Sequence, residues 1–220
     1  GGSKGVYKKN IAPVFGKPLM QWTIEASIKS LHITDTIVSS DDEEILNIAE
    51  SLGAQTIKRP KEYSTDEATS SSVVIHALKE CAEQGVYFDY VVLLQPTSPL
   101  RGAREINEAL DLIFNSNVSA VISVTKSDNK FLKSFKMNKD GYIEGVVDNL
   151  YPFTRRQDLP QTYISNGAIY IVKVKDFLES ESFFTSKTLA YEMSEDISLD
   201  IDSEADLKHA EKFFQNESEH

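Results

Sequence analysis

Apolar positions along the chain switch between two rhythms. Residues 35–40 (DTIVSS) form a short β-branched run. Asp41-Asp42 follows, and then Ile45, Leu46, Ile48, Ala49 and Leu52 recur at helical spacing. This predicts a strand, a capped helix and a stop at Gly53. Residues 55–58 predict a second strand, broken by Arg59-Pro60, and residues 64–72 are polar without a period. A helix is expected over 71–84, with Val74, Leu78 and Cys81 on one face. Residues 90–94 (YVVLL) are apolar without alternation, the pattern of a central strand covered on both faces. Pro96 and Pro99 exclude helix or ladder across the next segment. Ile106, Ala109, Leu110, Ile113 and Phe114 then predict a strong helix, and residues 120–124 a strand.

The rhythm changes after residue 128. Residues 130–147 read as a hairpin turning at Asp140-Gly141, and a polar, proline-bearing stretch runs to about residue 164. Strands are expected again at 168–172 and 189–193, and helices at 175–180 and 203–214. A polar tail closes the chain. Strand–helix alternation predicts an α/β fold: a Rossmann-like, mostly parallel sheet with helices on both faces. The expectation is one domain over residues 1–220, with a small β-rich arm inserted at about 128–165. Ligands of such sheets sit at the carboxyl ends of strands, so the segments just after the strands are the place to look for chemistry.

Charge narrows the partners. The 220 residues carry 23 Lys and Arg against 34 Asp and Glu, a net charge of −11, which argues against non-specific binding to nucleic acid or an anionic membrane. Any anionic ligand must be met by a local basic site. The lone cysteine, Cys81, excludes an internal disulfide framework and a cysteine-based zinc cluster. No signal peptide is expected, and no apolar run in the sequence approaches the roughly 20 residues of a membrane span. The expected setting is a reducing one, cytoplasmic and of bacterial type.

Four segments carry candidate chemistry. Gly1-Gly2-Ser3-Lys4-Gly5, followed by Lys8, Lys9 and Asn10, is a glycine-rich loop bearing lysines. It suits a triphosphate, whereas Gly-Gly-Ser by itself also reads as a linker remnant. It does not have Walker spacing. Gln95–Arg101 (QPTSPLR) is a proline-stiffened turn that either presents Gln95 and Ser98 to a base or sugar edge or is simply a turn. Arg155-Arg156-Gln157 offers forked donors for a carboxylate or phosphate, or is a solvated basic turn. Asp200 and Asp202 are alternate residues that converge on one cation if the backbone is extended. They could equally cap the last helix. His32, His76, His209 and His220 show no ligand spacing, and Phe183-Phe184 is either core or a pocket wall.

Taken together these segments resemble the CMP-sialic acid synthetases (acylneuraminate cytidylyltransferases), a family that includes CMP-legionaminic and CMP-pseudaminic acid synthetases. The resemblance covers nearly the whole chain. It rests on Ser3-Lys4-Gly5 with Lys9-Asn10, Arg59-Pro60, LLQPTSPLR (93–101), RRQDLPQTY (155–163), Asn166-Gly167-Ala168-Ile169-Tyr170, Phe183-Phe184 and Asp200-Ile201-Asp202. It implies transfer of CMP from CTP to the anomeric hydroxyl of a nonulosonic acid, with release of pyrophosphate. It also implies a homodimer whose arm reaches toward its neighbour. By resemblance, Ser3, Lys4, Lys9, Asn10, Arg59, Ser70, Gln95, Pro96, Thr97 and Ser98 surround the nucleotide. Lys9, Lys4 and Asp202 carry the chemistry. Gln95, Lys133, Arg156, Gln157, Asn166, Tyr170, Phe183 and Phe184 meet the sugar. Asp200 and Asp202 hold Mg²⁺, with Mn²⁺ as the alternative. Family members begin with an apolar strand ending in Pro-Ala-Arg ahead of the glycine loop. This sequence opens on the loop itself, so such a strand is expected to precede it. Some sialic acid enzymes carry an arginine where Ile164 stands, which favours a different nonulosonic acid. The alternatives are a cytidylyltransferase for an eight-carbon acid, a metal-dependent glycosyltransferase using Asp200-Ile201-Asp202, and a non-catalytic nucleotide-binding homologue.

Overall fold

The computed structural model describes residues 6–65 and 67–218, with side chains through residue 215. The chain opens with a tiny hairpin, β1 (Pro13–Val14) and β2 (Lys17–Pro18), leading into helix α1 (Leu19–Ile28). Strand β3 (Ile37–Ser40), α2 (Glu43–Ser51) and β4 (Gln55–Lys58) follow, then α3 (Ser70–Glu83), β5 (Tyr90–Leu93) and α4 (Ala103–Phe114). The second half holds β6 (Ala120–Ser127), the arm strands β7 (Phe135–Met137) and β8 (Ile143–Gly145), and β9 (Thr162–Lys173). Helix α5 (Val174–Ser180), β10 (Thr188–Glu192) and α6 (Glu204–Ser218) complete it.

The main sheet has the order β10-β6-β9-β5. Strand β10 is parallel to β6, and β9 runs antiparallel to both β6 and β5. Strands β5, β6 and β10 therefore share one direction and β9 opposes them. A separate parallel pair, β3 with β4, forms its own sheet. The fold is α/β with a mixed sheet between helices. Strand β9 is longer than its apolar run suggests, because its first residues continue from the arm and pair Thr162 through Ser165 with β6.

Two core clusters cover the main sheet, one on each face. Ile106, Ala109, Leu110 and Ile113 of α4 pack with Val121, Ile169 and Ile171, and Tyr90 and Val92 lie against them. On the other face Val74 and Leu78 of α3 pack with Ala120, Val172 and Phe177, with Val91 and Leu93 alongside. Successive residues of β5 thus feed opposite clusters, which explains the unbroken apolar run. Among the described residues β5 pairs on one side only, with β9. Strands β5 and β3 line one apolar cleft of about 790 Å³, bordered also by Met20, Ile24 and Leu110.

Helix α1 has no counterpart in the sequence reading. Leu19 joins a cluster with Val14, Leu100, Ile201 and Ala210, while Met20 and Ile24 join another with Ile45 and Ala49. The Trp22 ring stacks on Phe214 of α6 at 3.8 Å between centroids, and its indole N–H donates to the Val14 carbonyl at 3.1 Å.

Candidate active site

Strand ends position most of the candidate residues. Arg59 directly follows β4, its backbone N–H donating to the Ser40 carbonyl at 2.9 Å at the end of β3. Its guanidinium donates from Nε to the Ser64 hydroxyl at 3.2 Å and lies 3.6 Å from Asp41. Pro96 follows β5, and Ser70 opens α3, whose cap is the Thr69 hydroxyl accepting from Ser72 N–H. Asn10, Arg59, Ser70 and Pro96 all border the same cleft. Ser3 and Lys4 lie outside the described residues.

The turn after β5 is held from below. The Gln95 carbonyl accepts from Ser98 N–H at 3.3 Å and from Arg101 Nη2 at 3.5 Å, and the same Nη2 donates to the Thr23 hydroxyl of α1 at 3.0 Å. Arg101 is 1% exposed, and burial pushes its pKa down to about 10 while nearby Glu105 opposes the shift. Its Nε and Nη1 have no hydrogen-bond partner among the described residues. Ser98 is fully buried beneath the turn, so its hydroxyl faces the interior and not the cleft. The Thr97 carbonyl accepts from Ile201 N–H at 2.8 Å, which latches the turn to the acidic segment.

That acidic segment alternates in burial: Ile201 is 0% exposed, whereas Asp200 and Asp202 are exposed. Ile201 points into the core, so its two neighbours are directed outward. Lys9 reaches this segment from the short 3₁₀ turn Lys9–Ile11. Its ammonium donates to the Ile201 carbonyl at 2.8 Å and to Asp202 Oδ1 at 3.0 Å. The preceding Lys8 is left-handed (φ 47°), and Glu44 pairs with its ammonium and raises its pKa. Asp206 completes the support. Its Oδ2 accepts from Ser203 N–H at 2.8 Å and Asp202 N–H at 3.1 Å, while Asp206 N–H donates to the Ser203 hydroxyl at 3.4 Å. This reciprocal cap starts α6. The Ser203 hydroxyl, foremost, holds the Asp206 carboxyl below its usual range. Two carboxylates with open surroundings are a donor set that fits Mg²⁺ once phosphate oxygens and waters are added. No cluster of three or more ligating side chains occurs among the described residues.

The sugar-side candidates divide into two groups. Gln95 lies against Gly167, whose φ is +76° and where a Cβ would stand 2.8 Å from Gln95 Oε1. The Tyr170 hydroxyl is 2.9 Å from that of Ser165, and its ring sits 5.8 Å from Phe183, which is buried, whereas Phe184 is 71% exposed. Lys133, Arg156 and Gln157 are on the arm. Arg156 pairs with Asp128 at 3.2 Å. Arg156 and Gln157 line a pocket of about 480 Å³ that shares no residue with the cleft.

Asn166 is placed differently from a ligand. Its register position is a bulge: Ile122 pairs with Tyr170 and Val124 with Ser165, so four residues of β9 face Ser123 alone. The Ser123 hydroxyl donates to Asn166 Oδ1 at 2.6 Å and accepts from Ile169 N–H at 2.8 Å. Asn166 Nδ2 donates to the Ser198 hydroxyl at 2.9 Å and to Met193 Sδ at 3.3 Å. The amide is spent inside the protein, joining β9 to the segment that leads into Asp200. Sequence reading missed Thr23, Ser123, Ser165 and Ser198. Of these only Ser165 carried a signal, its place beside Asn166-Gly167.

Residues 1–218 match a family model described as cytidylyltransferase. An N-acylneuraminate cytidylyltransferase of Escherichia coli is 38% identical over 212 residues, covering 95% of this chain and 49% of that protein. One of Streptococcus agalactiae is 36% identical, covering 94% and 50%. A pseudaminic acid cytidylyltransferase of Campylobacter jejuni is 30% identical over 211 residues, covering 96% and 90%. The chain therefore spans about half the length of the N-acylneuraminate relatives it matches. Among solved structures, a CMP:2-keto-3-deoxy-manno-octonic acid synthetase complexed with CTP superposes with a TM-score of 0.72 at 15% identity, covering 98% and 95% of the two chains. That likeness bears on the fold alone.

Proposed function

The chain belongs to the cytidylyltransferase family, and from that membership we propose that it joins CMP from CTP to the anomeric hydroxyl of a nonulosonic acid. The hydroxyl oxygen bonds to the α-phosphorus and pyrophosphate leaves. The observation that carries this reading is the meeting of Lys9, the Gln95–Ser98 turn and the Asp200–Asp202 pair around Ile201, beside a cleft bordered by Asn10, Arg59 and Ser70.

Each group has a task it can perform from where it stands. Asn10, Arg59 and Ser70, which border one cleft, would meet the nucleotide, with Arg59 supplying positive charge in an otherwise acidic protein. Lys9 neutralises charge that builds on the phosphates, an electrostatic role rather than proton transfer. Gln95, Tyr170 and Phe183 form the sugar side, the amide for hydroxyls and the rings for an acyl group. Asp200 and Asp202 would hold Mg²⁺ or Mn²⁺, which supplies Lewis-acid polarisation when bound.

The arm suggests that two copies are needed. Phe135, Met137, Ile143, Val147, Leu150 and Phe153 are large, exposed apolar side chains on it. Such a patch is unusual unless something covers it. Arg156 and Gln157 line a pocket apart from the cleft within one chain, so a homodimer that brings one arm, with Lys133 on it, to its partner's cleft would complete a site for the sugar carboxylate. Among the described residues no helix is long and apolar enough to cross a membrane.

Two sugars stand out. N-acylneuraminate enzymes have the higher identity, whereas the pseudaminic acid enzyme matches over 90% of its own length. Ile164 is 58% exposed on β9, where an arginine would favour sialic acid. Pyrophosphate release from CTP and Mg²⁺ with sialic, legionaminic, pseudaminic and eight-carbon acids tests the proposal. One nonulosonic acid should support turnover, and Asp202→Ala should abolish it with the fold intact. CTP binding without turnover on any acid would favour a non-catalytic homologue.

A further inference from the structure

Lys9 occupies a position that bears on how the acidic pair takes a cation. Its side chain is 15% exposed and is fixed by two acceptors, the Ile201 carbonyl at 2.8 Å and Asp202 Oδ1 at 3.0 Å. The backbone beneath it is also fixed, since Ile11 N–H donates to the Lys8 carbonyl at 2.9 Å and Ala12 N–H to the Lys9 carbonyl at 3.1 Å. Ile201 is held in turn by Thr97. The ammonium therefore rests against Asp202, and Asp200 forms no ion pair among the described residues.

We propose that in the nucleotide-free protein Lys9 stands in for the divalent cation at Asp202, so that the acidic pair binds the cation well only when a triphosphate draws the ammonium away. This rests on the reading of Asp200 and Asp202 as the cation site. The physical argument is charge. With Lys9 paired to Asp202 the segment offers one uncompensated carboxylate in place of two. A divalent ion arriving at the pair would also be repelled by the ammonium. A unit charge and a divalent ion about 4 Å apart in water repel by an amount equivalent to roughly tenfold to thirtyfold in affinity. A triphosphate reverses both effects, because its oxygens accept from Lys9 and add ligands for the cation. Lys9 thereby makes cation uptake conditional on nucleotide, and it does so without moving the segment that Thr97 and Asn166 anchor.

The test is Mn²⁺ binding to nucleotide-free protein, followed by the paramagnetic resonance signal of the free ion. Wild-type protein should bind weakly. Lys9→Gln should bind about tenfold more tightly, and Lys9→Met, which replaces it should Lys9→Gln prove poorly folded by circular dichroism, should show the same gain. Lys9→Arg keeps the charge and should stay near wild type. Lys9→Gln combined with Asp202→Asn should lose the gain, which ties it to this site. Tight binding by the wild-type protein without nucleotide overturns the proposal with no variant needed. So does a Lys9→Gln or Lys9→Met protein that binds no better than wild type. Pyrophosphate release is scored separately. Turnover with an unchanged Mn²⁺ ranking defeats only the stand-in role, and the expected ranking without turnover on any sugar acid defeats only the proposed reaction.

Discussion

Gly167→Ala separates backbone strain from ligand contact at one position. The residue sits at φ +76°, a conformation that costs an L-residue about 1–2 kcal/mol. Loss of glycine's freedom in the unfolded chain offsets about 0.4–1 kcal/mol of that. The net destabilisation is therefore about 1 kcal/mol, a fall in Tm of roughly 2–4 °C for a domain of this size. The added methyl would also stand 2.8 Å from Gln95 Oε1, a contact that must open. The amide is the far end of a flexible side chain, so it moves while the backbone stays. If Gln95 hydrogen-bonds the sugar, losing that bond is worth about 0.5–1.5 kcal/mol, or roughly twofold to tenfold in KM for the sugar acid. The KM for CTP should hardly change. Pyrophosphate release at varied sugar and varied CTP measures both, and thermal melting measures the strain. In a Gln95→Ala background the same substitution should still lower Tm but no longer raise the sugar KM. An unchanged sugar KM in the single variant refutes the role given to the Gln95 amide, and an unchanged Tm refutes the strain argument.

Asp206→Asn should lower stability by about 0.3–1 kcal/mol near neutral pH, because it keeps an acceptor oxygen but removes the negative charge from the first turn of α6. Because the folded protein holds this carboxyl below its usual 3.8, the stabilisation is complete above that value and fades as pH falls through the lower folded value. The Tm gap between wild type and variant should therefore close in strong acid, and a constant gap would argue against the cap. Leu150→Asp with Phe153→Asp should convert a dimer to a monomer by light scattering. A double variant that stays dimeric removes the arm from the interface.

Legibility in the sequence followed the range of the interaction. Strands and helices with one apolar face were readable, as in α4, where Ile106, Ala109, Leu110 and Ile113 keep one stripe. Helix α1 was not, because its residues serve several clusters at once. Leu19 faces Ile201, Met20 and Ile24 face Ile45, and Ala26 joins the α4 cluster. Apolar groups around all but the Gln21–Glu25 side leave no narrow stripe to detect. Residues 90–94 showed that both faces are covered, since successive side chains of β5 feed opposite clusters. Of the residues proposed for the site, Pro96 and Asp202 stand in segments that the sequence marks, the proline-stiffened turn and Asp200-Ile201-Asp202, whereas Arg59 and Ser70 are named through the family resemblance. The inward roles of Ser98 and Asn166 were not legible, because a bulge and a buried turn depend on partners far along the chain.

The same distinction explains why the acidic pair is well held despite lying in a loop. Ile201 is clamped three ways: its side chain is in the core with Val14, Leu19 and Leu100, its N–H meets Thr97, and its carbonyl meets Lys9. Upstream, Asn166 holds Ser198, and downstream Asp206 holds the Asp202 N–H. Each anchor comes from a different element, so no single element could shift the pair alone. Ordering two carboxylates before a ligand arrives removes a conformational cost from binding. It also fixes their distance from the Gln95–Ser98 turn, which is what a reaction that joins two substrates requires of its site. The lysine that closes this clamp is the only one of the five anchoring groups that a phosphate could pull away, and that makes Lys9 the part of the site where ligand binding and geometry can communicate.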